Sequence, residues 1–247
     1  MTAALETIGL SRRFGGLLAT NDISLRLERG ARHALIGPNG AGKTTLINLL
    51  TGVLTPSAGR VMLAGEDITT LRPDRRVRRG LVRTFQINQL FPALTPLTTV
   101  GLAVSRRMGL DRQIWRRIGS NREVVDQSVE ILERFDLLSV MNLPTAALPY
   151  GRQRLLEIAA AIACAPSVLL LDEPAAGVPE AERDGILAGV AALPADVTVL
   201  LIEHDMDLVF RFADRISVLV AGAVLVEGTP AEIAADPRVR AVYLGTA

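Results

Sequence analysis

Residues 37–45, GPNGAGKTT, set glycines, a lysine and threonines in the spacing G-x-x-x-x-G-K-[ST]. Glycines let successive backbone N–H groups turn inward around phosphate oxygens with no Cβ in the way. Lys43 adds a point charge toward β- and γ-phosphates, and the Thr44 hydroxyl is a ligand suited to Mg2+. Gly37, Pro38, Asn39, Gly40, Ala41, Gly42, Lys43, Thr44 and Thr45 are therefore the candidate cradle. The pattern carries weight only between a strand and a helix, and ARHALIG before it and TTLINLLTGVL after it supply both. Outside that context it would be a glycine turn with a coincidental Lys-Thr.

A second candidate is SVLLLDEP, residues 167–174, which delivers two carboxylates where an apolar strand ends. Ligands of open α/β sheets gather at that end. Asp172 is placed to hold a metal shell, and Glu173 to polarise an attacking water as general base. Taken alone, the pair also fits a strand running into a solvated turn. VTVLLIEHD repeats the geometry and brings His204 to a strand end, where a lone histidine is usually structural. His33, inside ARHALIG with no acidic neighbour in sequence, reads as packing. Gln86, in RTFQINQLFP, offers a neutral amide that can touch metal or water, although an exposed loop glutamine has no meaning by itself.

LPYGRQR, residues 148–154, runs directly into LLEIAAAIA, where Leu155, Ile158 and Ile162 recur at helical spacing. The stretch is the N-terminal edge of a helix, whose unpaired N–H groups favour an anion. It either simply starts a helix or meets a negative group.

The elements that must hold these residues follow from the apolar pattern. TIGL, NDISLRLERG and ARHALIG read as strands, TTLINLLTGVL as a helix ended by Gly52, and RVMLAGEDI as strand–turn–strand. QLFPALTPLTTV reads as a proline-punctuated loop. Val125, Val129, Leu132 and Phe135 mark one face of a helix near 121–138. SVLLLDE and DVTVLLIEHD are the continuous apolar runs of strands buried on both faces of a parallel sheet. ISVLVAGAVLVEG reads as a hairpin, and TPAEIAADPRVRAVYLG as a short helical tail opened by Thr229 and Pro230. A strand, a glycine loop, a helix and buried strands separated by helices make an α/β domain. The Arg-rich middle, residues 87–147, looks inserted and helical.

Composition limits the classes. The 247 residues suffice for one large domain or a core with a subdomain. Lys plus Arg at 27 against Asp plus Glu at 26 leaves +1, which gives no support for nucleic-acid binding through bulk charge. The single Cys164 excludes an internal disulfide and suits a reducing compartment. MTAALETIGL has no basic or apolar region of the secretory kind, so no signal peptide is expected. Hydrophobic residues reach 49%, yet no run approaches the roughly 18 apolar residues that cross a bilayer. The arginines of LRPDRRVRRG and SRRMGLDRQIWRRIG, with Trp115 between the latter, read as a solvated face. Facing anionic lipid, each would contribute about 1 kcal/mol.

In order and spacing these motifs resemble the ATP-binding cassette (ABC) ATPases, over nearly the whole chain. The resemblance implies an α/β P-loop NTPase core with an antiparallel β subdomain and an inserted α-helical subdomain. Residues 1–86 and 165–247 would form the core, and about 87–164 the helical part that carries the signature. It implies ATP and Mg2+ as cofactors and a head-to-tail pair of ATPase subunits, each covering the other's ATP. It implies Phe14 stacking on adenine, residues 37–45 around the phosphates, and Thr44, Gln86 and Asp172 at the metal. Glu173 would be the base, His204 the switch histidine on the γ-phosphate, and Tyr150 and Gly151 the signature facing a partner's ATP. LPYGRQR departs from the usual Leu-Ser-Gly-Gly-Gln: Pro149 replaces the serine, losing a hydrogen bond of about 1.5–3 kcal/mol. AAGVP puts Pro179 where the family's next loop often ends in Asp.

Within the family, RTFQINQLFP, LPYGRQR, DEPAAG, LIEHDM and AVYLG look most like the ATPase subunit of bacterial branched-chain amino-acid importers. The implied partners are a second ATPase of the same or a related chain, integral membrane permeases docking near Gln86 and Phe91, and indirectly a solute-binding protein. The implied location is the inner face of the plasma membrane. Import of another small solute such as an amide, or a weakly hydrolysing regulatory module, stands as the alternative. A chromosome or DNA-repair ATPase would carry long coiled coils, and no sustained heptads lie between Gly37 and Gly151. A translation-factor ATPase would usually need two cassettes, and a kinase would need a phosphorylated acceptor.

Overall fold

The computed structural model describes residues 2–84, 90–110 and 121–244. They group into two compact units. The first comprises Met1–Arg83, Ser167–Glu173 and Ala195–Ala247, and the second Thr84–Pro166 and Pro174–Pro194. Pro174–Pro194, which motif order alone leaves with the core, therefore groups with the helical segment.

The first unit opens with β1 (Leu5–Phe14), β2 (Leu17–Ile23) and β3 (Arg26–Leu27), where alternation puts Leu10, Ile23 and Leu27 inside. Next come β4 (Arg32–Ile36), α1 (Lys43–Thr51), β5 (Ala58–Leu63) and β6 (Glu66–Asp67), then α2 (Pro73–Arg78) and β7 (Leu81–Arg83). One sheet is antiparallel, in the order β2-β1-β5-β6 with β3 also on β1. Helix α1 ends at Gly52, which takes a left-handed φ of 78° that glycine adopts at no steric cost.

The arginine run holds a surprise. Arg72, Arg75, Arg78 and Arg79 are exposed, as a solvated face requires, but Arg76 is fully buried. Its guanidinium donates to the carbonyls of Leu49 (2.8 Å), Leu50 (2.6 Å), Thr69 (2.7 Å) and Leu71 (2.9 Å). Carbonyls at a helix C-terminus lack intrahelical partners and attract a cation, so Arg76 locks the end of α1.

In the second unit α3 (Pro96–Arg107) begins inside the stretch read as a loop. Thr95 accepts from the Thr98 N–H at 3.2 Å, and Pro96 occupies the first helical position, where its missing N–H costs nothing. α4 (Arg122–Arg134) is capped by Asn121 and buries Val124, Ser128, Ile131 and Leu132, with Phe135 just beyond it. Val125 and Val129 lie at the margin of that stripe. α5 (Tyr150–Ala163) buries Leu155, Ile158 and Ile162, as their spacing predicts. α3 packs on α4 and α5, and α5 on α6 (Glu180–Ala191).

The chain returns to the first unit with β8 (Val168–Asp172) and β9 (Thr198–Ile202). α7 (Met206–Phe212), β10 (Arg215–Val220), β11 (Ala223–Gly228), α8 (Pro230–Ala235) and α9 (Pro237–Leu244) follow. The expected tail is thus two helices parted at Asp236-Pro237, with Thr229 and Glu232 forming a capping box. The second sheet has the order β11-β10-β4-β9-β8-β7, parallel except for the β10–β11 hairpin. Its central strands are buried on both faces. Leu35, Leu170, Leu200 and Ile202 pack with Leu46, Ile47, Leu49 and Leu50 of α1, while Ala34 and Ile36 meet Val209, Ile216, Val218 and Ile233. Each α1 leucine so buried contributes about 1.5–3 kcal/mol. That packing fixes the helix whose first turn follows the glycine loop.

Candidate phosphate site

Because β4, β8 and β9 are parallel neighbours, their C-terminal ends reach one edge of the sheet. The loop 37–42 leaves β4 there, Asp172 closes β8 with Glu173 behind it, and Glu203 and His204 follow β9. The register places Asp172 opposite Ile202.

The loop is shaped for a close approach to backbone. Gly42 has φ 102°, and a Cβ on it would lie 2.5 Å from the Ala19 carbonyl oxygen, so no other residue fits. Gly42 is also the N-cap of α1, which has neither a capping side chain nor an acidic residue in its first turn. The helix thus begins with unpaired N–H groups and its positive dipole end, an arrangement that favours an anion. The Lys43 ammonium donates to the carbonyls of Gly37 (2.6 Å) and Pro38 (3.0 Å). Burial pushes its pKa down, against the opposing charges of Glu173 and Asp172. Lys43 is therefore a half-buried cation between the loop and both carboxylates.

Around the carboxylates the structure adds residues that sequence patterns miss. Asp172 Oδ2 accepts from Arg83 Nη2 at 2.7 Å, and Arg83 Nη1 donates to Asn48 Oδ1 at 2.8 Å. Glu173 sits at φ 47°, a left-handed conformation that costs a non-glycine residue about 1–3 kcal/mol and is concentrated at functional positions. Its N–H donates to the Ile202 carbonyl at 2.9 Å, which ties the residue to the neighbouring strand. His204 Nδ1 is 4.0 Å from Glu173 Oε1 and 3.8 Å from Glu203 Oε2, and its side chain is 66% exposed. It is thus near both carboxylates and open to an incoming group. Glu203, almost fully buried, accepts the His204 N–H at 3.1 Å and orients this corner.

Phe14 ends β1 with its ring exposed and the Arg12 guanidinium 4.7 Å above it. His33 is buried, as a packing residue should be, and its Nε2 lies 2.8 Å from Ser217 Oγ, which donates to Glu227 at 2.8 Å. Glu227 is the acidic neighbour that the local sequence does not reveal. Gln86 and Trp115 lie outside the described residues, whereas Phe91 is 67% exposed.

The helix edge at LPYGRQR meets a negative group within its own unit. Pro149 is the N-cap of α5 and offers no side-chain acceptor, but the Gly151 N–H donates to Glu182 Oε2 at 2.7 Å. A Cβ at Gly151 would collide with that carboxylate. Pro179 is the N-cap of α6 and accepts from the Glu182 N–H at 2.9 Å, so it positions the carboxylate. Tyr150 beside it lies 5.5 Å beneath the Arg154 guanidinium.

Thr44 and Asp172 are hard oxygen donors and suit magnesium, which keeps several waters and takes one or two protein oxygens beside substrate phosphates. Among the described residues no cluster of three or more His, Cys, Asp or Glu side chains forms an all-protein metal cage. No described helix is long and apolar enough to cross a membrane.

Comparison with known proteins follows the same lines. Residues 20–176 match the family described as ABC transporter, and residues 223–247 match one described as branched-chain amino acid ATP-binding cassette transporter. The high-affinity branched-chain amino acid transport ATP-binding protein BraF of Pseudomonas aeruginosa is 42% identical, across 98% of both chains. LivG of Escherichia coli, of the same description, is 40% identical across 98% of both. A solved ADP conformation of an ATP-binding cassette of an ABC transporter superposes with a TM-score of 0.86 at 31% identity, covering both chains completely. A nucleotide-free ATP-binding cassette gives 0.84, also at 31% identity.

Proposed function

The chain belongs to the ABC transporter family as an ATP-hydrolysing subunit, and on that premise we propose that it powers import of branched-chain amino acids. The observation that carries this is near-full-length identity of 42% to a branched-chain amino acid transport ATP-binding protein, with the separate match at residues 223–247.

In this reading ATP lies with its phosphates on residues 37–45 and adenine against Phe14, and Lys43 faces the β- and γ-phosphates. Thr44, Asp172 and Gln86 would hold a magnesium ion, which would supply positive charge to offset that of the phosphates. Glu173 accepts a proton from water as the water oxygen bonds to the γ-phosphorus and ADP departs. His204 stands beside Glu173 and holds the γ-phosphate, and its exposure suits a contact made only when nucleotide arrives. The N-terminus of α5 at Tyr150 and Gly151 serves a second ATPase subunit, whose γ-phosphate takes the position Glu182 now fills.

The partners are then that second subunit, of the same or a related chain, and integral membrane permeases, with a solute-binding protein acting through them. The chain works at the inner face of the plasma membrane. Labelled leucine uptake tests this in cells lacking the chain and complemented with wild type or Glu173→Gln. Wild type restores uptake and Glu173→Gln does not. Restoration by both, or by neither while amide uptake returns, would overturn the assignment.

A further inference from the structure

Arg83 closes β7, and its side chain is only 12% exposed beside the 8% of Asp172. The guanidinium forks. One arm, Nη2, holds Asp172 Oδ2 at 2.7 Å, and the other, Nη1, holds Asn48 Oδ1 at 2.8 Å. Asn48 lies on α1 four residues after Thr44, so the two share a helix face one turn apart. Backbone pairing of Arg83 with Leu170, two residues before Asp172, fixes the stem of the side chain against the same strand. A single planar group thus links the turn of α1 below Thr44 to the carboxylate that ends β8.

We propose that Arg83 is a positioning residue for the divalent cation: it splints the Asp172 carboxylate to α1, so that Asp172 and Thr44 present their oxygens in a fixed relation. This rests on the reading of Asp172 and Thr44 as the cation's protein donors. The opposite role is conceivable for a guanidinium beside a carboxylate, that of a cation competing with the metal. The fork distinguishes them. A competing charge needs one contact with the carboxylate, whereas Arg83 spends its second arm on the neutral amide of Asn48, which aims the group without changing its charge. Groups that orient a metal ligand typically change metal affinity about 10- to 100-fold when altered.

The full-length chain is titrated with Mn2+ in the presence of a non-hydrolysable ATP analogue, bound metal being read by electron paramagnetic resonance. Nucleotide affinity is measured separately in chelator, without metal. Arg83→Lys keeps the charge and loses the fork, Asn48→Ala removes the anchor alone, and Asp172→Asn is the control for the metal site. Arg83→Lys is expected to raise half-saturating Mn2+ about 10-fold, and Asn48→Ala to raise it less, both with metal-free nucleotide affinity unchanged. If Arg83→Lys binds Mn2+ within about twofold of wild type, or more tightly, while Asp172→Asn is weakened, the splint is refuted and the metal site stands. Equal losses with and without metal would reduce Arg83 to a structural role and also refute it. If Asp172→Asn leaves Mn2+ binding intact, the underlying assignment of the metal donors fails instead.

Discussion

Replacing Arg76 by Met measures what holds the phosphate-loop helix at its far end. The substitution keeps an unbranched stem and removes the guanidinium, so the carbonyls of Leu49, Leu50, Thr69 and Leu71 lose its N–H donors. Each such bond to a charged group is worth about 1.5–3 kcal/mol, but four on one guanidinium do not add. Leu49 O also keeps the Gly52 N–H at 3.3 Å. Relief of the buried charge offsets part of the loss, because burial already holds the Arg76 pKa down at about 10. The net cost is then about 3 kcal/mol, or ~6–12 °C in melting temperature for a chain of this size. Arg76→Lys, which keeps the charge but reaches fewer carbonyls, should lose about half as much. Since a group titrating near 10 stays charged at neutrality, the loss should be constant between about pH 6 and 8. Far-ultraviolet circular dichroism during heating reads it. An Arg76→Met midpoint within about 1 °C of wild type would refute the capping role.

Three further outcomes follow from named contacts. Lys43→Met removes the one cation within the loop and should raise the ATP dissociation constant about 10- to 100-fold, checked by fluorescent-nucleotide titration. Burial holds the His33 pKa below its usual 6.5, so the unfolded chain binds more protons and stability falls as pH drops below about 6.5. Urea midpoints between pH 5 and about 6.5 should therefore fall less steeply in His33→Gln than in wild type, and parallel curves would count against it. In a Glu173→Gln background, Glu182→Ala opens the N-terminus of α5 and should lower the ATP needed for dimerisation by up to about tenfold in light scattering. An unchanged or higher requirement would mean that this edge does not receive a partner's phosphate.

The edge of the parallel sheet was legible because β8 and β9 lie in continuous apolar runs, which a sheet covered on both faces accommodates, and the short apolar end of β4 runs straight into the glycine loop. The glycine loop was legible for a related reason, since its spacing has physical meaning only between a strand and a helix. Helix α3 was hidden because Pro96 reads as a breaker, and only the Thr95 contact to the Thr98 N–H identifies it as a helix start. Arg76, Arg83 and Glu182 left little local trace: the helix end that Arg76 caps lies 26 residues away at Leu50, and the Asp172 and Gly151 partners of Arg83 and Glu182 lie 89 and 31 residues away. A buried arginine and a solvated one look alike in a run such as RRVRR, and only the folded chain brings carbonyls to one of them.

The most direct measurement is phosphate release in a single turnover of ATP by wild type and by Glu173→Gln, with bound nucleotide measured in the same samples. With Glu173 as the base behind β8, the variant should bind ATP as wild type does while releasing phosphate about 10²–10⁴ times more slowly. Release within a few-fold of wild type at equal occupancy would contradict that role for Glu173 and, with it, the chemistry assigned to the end of β8.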